Sequence, residues 1–282
     1  MQGQEAKEKF KGCYVATLTP FDKTDRVDEG VVRAHTEWLV EEGVAGVCPV
    51  GTTGEFLFLS TAEKSKVFKA TVDGAKGRVP VIAGVWGSRP EQVLALVKLA
   101  EDAGASGVFL PTPIYYPANS TAILRWYENA RNGCSLPVFA YNIPQYAANE
   151  ISLECLAQLF AEGTIAGAKD SSGKAERIGE QVRRFGEQGT IFAASDSFAT
   201  EGRKLGADGF ISAIANVAPS LFVKLWAGEE SLQPQVDALR NALKQVGAIS
   251  GLKRLLEQKG FAFGHSRIPY TEVPESWSCI VE

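Results

Sequence analysis

The chain has 282 residues, 45% of them hydrophobic and 22% charged, with a formal net charge of -4 at pH 7. That balance can bury a large core, and it lacks the basic excess expected of a surface for nucleic acid or an anionic membrane. Two histidines and five cysteines, none in a CxxC pair, argue against a His-rich metal site, a His-based triad or a closed disulfide framework.

The N-terminus, MQGQEAKEKF, has no apolar run of the kind a secretory leader carries. No stretch of about 18 apolar residues occurs, so no membrane span is expected. We therefore expect reduced thiols in a cytoplasmic protein without a His-rich metal site.

Short apolar runs alternate with amphipathic segments along the chain. Residues 13–21 lead to a helical pattern at 28–42, and 46–50 lead to 60–76, where Ser60-Thr61-Ala62-Glu63 has the form of a capping box. Further on, 79–85 lead to 89–103, 107–111 to 120–132 and 137–143 to 152–162. The series closes with 165–169 leading to 174–188, 190–195 to 198–206 and 209–214 to 218–228. The strand runs are continuously apolar, as strands covered on both faces are.

Eight such units with no second composition regime predict an α/β fold, a (β/α)8 TIM barrel with extra C-terminal helices. The chain reads as a single domain over 1–282, with the barrel at 10–230 and a helical extension and tail at 231–282. The alternative is an open doubly wound sheet, but no GxGxxG follows the first strand. The helical pattern at 236–260 is expected to pack outside the barrel, and the chain from 265 on reads as irregular.

In a barrel the C-terminal strand ends carry the site. Lys169 ends the apolar run Ile165-Ala166-Gly167-Ala168. An ammonium in an apolar mouth is costly to keep charged, and a neutral amine attacks carbonyls to form imines. From position alone, a lysine snorkelling at a strand end is an equal reading. Tyr141, at the end of the preceding strand, is able to relay protons, although a buried structural tyrosine is the commoner case. Thr52 and Thr53 lie in the glycine-flanked turn 51–55, which offers amides and hydroxyls to a small carboxylate. Glu55 reads as a solvated or helix-starting acid, Tyr115 and Tyr116 as rim packing, Asp196 as a helix N-cap, and Cys13 and Cys48 as core thiols.

The ordered motifs GTTGE (51–55), TPIYYP (112–117), YNIP (141–144) and GAKDSSG (167–173) resemble those of the dihydrodipicolinate synthase/N-acetylneuraminate lyase family, over about residues 10 to 260. The resemblance implies that Lys169 forms an imine with pyruvate or another 2-oxo acid and that Tyr141 shuttles protons. It implies that Thr52 links that tyrosine to a relay and that Thr53 holds the oxo-acid carboxylate. It further implies that Tyr115 reaches into a neighbouring subunit's site and that the Ile211 carbonyl faces the bound acid. Such proteins use no cofactor or metal and assemble as homotetramers, dimers of dimers.

Two departures bear on the substrate. Dihydrodipicolinate synthases carry an arginine five residues after the motif tyrosine, where this chain has Tyr146, and a phenol cannot make a bidentate pair with a carboxylate. Acetylneuraminate lyases have two consecutive acids at the seventh strand end, where this chain has Asp196 followed by Ser197, and a serine aligned with Ala213. A 2-keto-3-deoxy sugar acid or 4-hydroxy-2-oxoglutarate is then the expected substrate class, with Asp196, Ser171 and Ser212 as partners for hydroxyls. A dehydratase, a dihydrodipicolinate synthase and a non-catalytic sugar-acid binder on the same fold are the competing readings.

Overall fold

The computed structural model describes residues 2–267, 269–277 and 279; of the predicted tail, Ile268, Ser278 and residues 280–282 lie outside the described residues. The strands are β1 (Gly12–Ala16), β2 (Gly46–Cys48), β3 (Ile82–Gly84), β4 (Gly107–Pro111), β5 (Val138–Asn142), β6 (Gly167–Asp170), β7 (Thr190–Ala194) and β8 (Gly209–Ser212). All pair in parallel, in the order β2-β1-β8-β7-β6-β5-β4-β3. A parallel bridge from Val47 to Val81 brings the two ends together. The result is the predicted (β/α)8 barrel, curled until it nearly closes.

The helices of the units are α2 (Glu29–Glu41), α3 (Thr61–Ala75), α4 (Pro90–Ala103), α5 (Ser120–Asn132), α7 (Leu153–Ala161), α8 (Ala175–Phe185), α9 (Ala199–Lys204) and α10 (Pro219–Ala227), with a short α6 (Pro144–Ala147) between β5 and α7. Each predicted helical pattern is a helix. The capping box forms: the Ser60 hydroxyl accepts from the Glu63 amide while the Glu63 carboxylate accepts from the Ser60 amide. Asp28, Asn119 and Ser152 cap α2, α5 and α7 in the same way, each accepting an orphan amide three residues on. The first strand is shorter than its apolar run, ending at Ala16 well before Pro20, which has no amide to give a ladder.

Inside the barrel, large rings face glycines across the ladder. Tyr14 lies opposite Gly46, Phe139 opposite Gly167, Phe192 opposite Gly209 and Phe109 opposite Gly84. A Cβ at Gly46 would sit 2.0 Å from the Tyr14 ring, and one at Gly209 2.5 Å from the Phe192 ring. The rings interlock, Tyr14 against Phe192 at 5.0 Å between centroids and Phe139 against Phe192 at 5.9 Å. Alternating bulk and absence of bulk fills the barrel as a packed core.

Two features go beyond the sequence reading. A short helix, α1 (Gln2–Lys9), precedes β1, and the fully buried Phe10 packs its ring 4.9 Å from that of Phe139, closing the barrel floor. The pattern at 236–260 is two helices, α11 (Gln233–Lys244) and α12 (Ala248–Gln258), separated at Gly247, whose φ of +83° suits glycine. These do not simply pack outside the barrel as expected. They lie against its C-terminal face, where Arg240, Ala248 and Ile249 line the mouth cavity. Periodicity gave the helices but not the face they cover.

Gly46→Ala is expected to destabilise the fold by about 1–3 kcal/mol, because the added methyl must displace the Tyr14 ring within a filled core. Urea unfolding measures this, and an unchanged midpoint would contradict the ring-on-glycine packing.

Candidate active site

The C-terminal strand ends open into a cavity of about 650 Å³, within the range of small-molecule sites. Lys169, Tyr141, Thr52, Thr53, Ile211, Ser171 and Asp196 all line it. Tyr115 does not: it is 79% exposed, and its ring packs edge-on against Tyr116 with centroids 5.1 Å apart. A single chain does not bring Tyr115 to the other site residues.

Lys169 pairs across the ladder with Tyr141, so parallel register alone sets the two side by side. The buried amine lies 4.0 Å from the Tyr141 ring centroid and 5.4 Å from that of Phe109. No carboxylate pairs with it and no hydrogen bond holds it among the described residues. The thiol of Cys48 lies near enough to feel the Lys169 charge, yet burial dominates and pushes that thiol up to about 12, leaving it a neutral core group.

The residue after the lysine holds this strand end in place. Buried Asp170 accepts from Asn142 Nδ2 at 2.9 Å, Gln181 Nε2 at 2.8 Å and Arg177 Nε at 2.7 Å. Asn142 Oδ1 in turn accepts from the Ile151 amide at 3.0 Å. The acid of the Lys-Asp dipeptide is thus a structural hub that clamps β5 to β6 and both to α8. Its sequence signal was an Asp closing an apolar strand, where only a fully hydrogen-bonded carboxylate is tolerated.

The turn after β2 starts at Val50, whose φ of +59° is a strained choice for a β-branched residue. Gly84 leaves room for it, since a Cβ there would sit 2.2 Å from the Val50 carbonyl oxygen. The turn then presents Thr52 and Thr53 to the cavity. Their hydroxyls and amides make no hydrogen bond within the chain among the described residues, the arrangement an anion-binding turn requires. Among the described residues no hydrogen bond links Thr52 to Tyr141.

Two expectations are corrected. Glu55 does start a short 3-10 turn (Phe56–Phe58), but it is not a solvated acid. Its φ of +58° folds the side chain inward, and it is 2% exposed. Lys253 of α12 lies 2.5 Å from its carboxylate, and the Arg267 amide donates to it at 2.9 Å. Lys253 also donates to the His265 carbonyl at 2.8 Å. Arg267 goes on to Asp25 and Glu63 at 2.9 and 2.6 Å. Residues 265–267 are thereby tied to the threonine turn. Ser212, the second correction, is fully buried and committed: it donates to Asp196 Oδ1 and accepts from the Ala215 amide at 2.9 Å. It is not available to a ligand hydroxyl.

Asp196 opens a short 3-10 turn (Asp196–Phe198) after Ser195, whose φ is +100°. Burial pushes its carboxyl up to about 6, against the Ser212 hydroxyl, the Ile214 amide and the charge of Arg240. Sequence reading missed Arg240, which reaches the cavity from α11. Among the described residues no three His, Cys, Asp or Glu side chains gather as a metal would need.

The scaffold, and an amine kept at its C-terminal end with no acid to neutralise it, place the chain among the barrel lyases. More narrowly, it belongs to the dihydrodipicolinate synthetase family, whose model matches residues 9–279. It is 38% identical to an uncharacterized DapA-like lyase of Halobacterium salinarum, over 92% of this chain and 87% of that protein. It is 33% identical to a 4-hydroxy-tetrahydrodipicolinate synthase of Nitrobacter hamburgensis, over 95% and 93%. Its fold matches CdNal from Clostridium difficile, solved in complex with mannosamine, with a TM-score of 0.90 and 26% identity over 95% of both chains.

Lys253→Met is expected to cost about 3–5 kcal/mol, because it strands the Glu55 carboxylate in the interior. The double variant with Glu55→Gln should recover much of that loss in urea unfolding. Equal costs for single and double variants would show that the charges themselves are not what matters there.

Asp196 carries a pH dependence. A folded-state value above the ordinary one means that folding favours the protonated acid, so its contribution is present below about pH 4 and lost as pH rises through about 6. Wild type should therefore lose melting temperature relative to Asp196→Asn across that window. Parallel profiles for the two proteins would contradict it.

Proposed function

We propose that Lys169 forms an imine with pyruvate or another 2-oxo acid and that the enzyme breaks or makes the carbon–carbon bond beside it. One observation carries the reading: the Lys169 amine lies 4.0 Å from the Tyr141 ring centroid in the mouth cavity, with no carboxylate to quench it among the described residues. The amine adds to the 2-oxo carbon, and loss of water gives the imine. Once protonated, this imine takes up the electron pair released when the bond between the carbon next to it and the hydroxyl-bearing carbon cleaves; that hydroxyl gives up its proton and becomes the aldehyde oxygen. Protonation of the remaining enamine and hydrolysis then return the amine and a 2-oxo acid.

In this scheme Tyr141 moves the proton between the reacting oxygen or carbon and its surroundings. The Thr52–Thr53 turn receives the oxo-acid carboxylate, and the Ile211 carbonyl faces the bound acid. Ser171 and Asp196 accept substrate hydroxyls. With Tyr146 where a dihydrodipicolinate synthase has its arginine, we favour a 2-keto-3-deoxy sugar acid or 4-hydroxy-2-oxoglutarate over the aldehyde of lysine biosynthesis. Tyr115, strained at φ +79° and exposed, fits a role at a subunit contact, as in a homotetramer built as a dimer of dimers. Buried single thiols at Cys13, Cys48, Cys134 and Cys155 fit a reducing compartment such as the cytoplasm.

Borohydride with pyruvate should add a stable mass to Lys169, and Lys169→Ala should take up none. Tyr141→Phe should keep the adduct while turnover falls by about 10²–10⁴-fold. An equal adduct in Lys169→Ala would overturn the assignment. Product analysis separates cleavage from dehydration: a released 2-oxo acid fragment marks the first, water loss with an intact carbon chain the second.

A further inference from the structure

Two cations line the mouth cavity among the described residues, Lys169 and Arg240. If the first is the nucleophile, the second is the one fixed positive charge left to recognise substrate. Arg240 stands seven residues after Gln233 on α11, two turns along the same face. Gln233 is pinned to the mouth: its amide nitrogen donates to the Asp196 carbonyl at 3.2 Å, and its amide oxygen accepts from the Thr200 hydroxyl at 2.8 Å. Val236 and Leu243, on the same side of the helix, are buried. The helix thus holds Arg240 at the cavity wall beside Asp196, on whose carboxyl its charge acts.

The guanidinium itself makes no ion pair or hydrogen bond within the chain among the described residues. A half-buried fork of five N–H donors with no acceptor of its own is poised for a planar or tetrahedral anion. That anion is not the 2-oxo acid's own carboxylate, for which the threonine turn already offers free amides and hydroxyls.

We infer that Arg240 is a specificity residue that binds an anionic group at the far end of the substrate. The substrate class is then a 2-oxo acid whose other terminus carries a carboxylate or a phosphate, with Asp196 taking a hydroxyl between the two ends. This deepens the imine reading and rests on it for which end is which. It also accounts for a cavity that has Tyr146, rather than a cation, after β5: the positive charge comes from α11 instead.

The test is a binding measurement that needs no turnover. Wild type, Arg240→Gln and Arg240→Lys are titrated by calorimetry with 2-oxoadipate, with its distal monomethyl ester, and with the matching 2-oxo acid ending in a phosphonate. Wild type should bind 2-oxoadipate about 10- to 100-fold tighter than the ester, the size of one charge-assisted pair. Arg240→Gln should lose that preference and still form the borohydride adduct with pyruvate at Lys169. Arg240→Lys, which keeps the charge without the fork, should retain part of it and serves if the glutamine variant fails to fold. Tighter Arg240-dependent binding of the phosphonate assigns phosphorylated acids, and tighter binding of 2-oxoadipate assigns dicarboxylates. Equal binding of acid and ester by wild type, or a preference unchanged in both variants, overturns the inference. A preference that depends on Arg240 in a protein whose Lys169 traps no pyruvate leaves the anion site standing and removes the imine reading instead.

Discussion

The site depends on one steric constraint inside the barrel, the fit of a large ring over a glycine on the next strand. Phe139 lies over Gly167, and the ladder then carries the register two residues on, where Tyr141 faces Lys169. A slip of one residue would turn each strand's side chains to the opposite face and separate the pair. The same rule holds Phe109 over Gly84, which leaves that ring beside the Lys169 amine and gives the Val50 carbonyl its space. The chemistry at the mouth is thus positioned by packing in the layers beneath it.

A second device works from above. The buried Glu55–Lys253 pair ties α12 to the turn that carries Thr52 and Thr53, and Arg267 adds residues 265–267 to the same carboxylate. Two charges in the interior are costly, and a well-packed apolar pair would often stabilise as much. What the ion pair adds is direction. It fixes the far side of a turn whose Val50 and Glu55 both hold left-handed backbone, so that Thr52 and Thr53 stay at the cavity wall. Strain of this kind persists only where surrounding contacts over-determine it. Ser195 and Tyr115 show it at two other strand ends, so strained backbone gathers at the face where ligands bind.

The mouth is electrically uneven. Lys169 sits against the aromatic faces of Tyr141 and Phe109, while Asp196 and Arg240 stand together on the wall that α11 supplies. The cavity is thus lined by a turn with unpaired threonine hydroxyls, an amine without a carboxylate partner among the described residues, and a mixed-charge wall. The C-terminal helices are therefore part of the site and not an appendage to the barrel.

Continuous apolar runs, amphipathic periodicity and helix caps determined the eight units, because these signals are local and each is read within one turn or strand. The strand ends also named Lys169, Tyr141, Thr52 and Thr53 of the cavity lining, since a barrel sends those ends to one face whatever its sequence. Glycines opening β2, β4, β6 and β8 were a visible trace of the ring-on-glycine core, although which ring meets which glycine is a cross-strand fact. Tertiary structure alone decided that Glu55 is buried on Lys253, that Ser212 is spent on Asp196, and that Arg240 reaches the cavity. In each case the partners are separated by a stretch of chain whose path no local pattern records. The direction a side chain takes from a left-handed turn or an added helix is set by the packing it meets there.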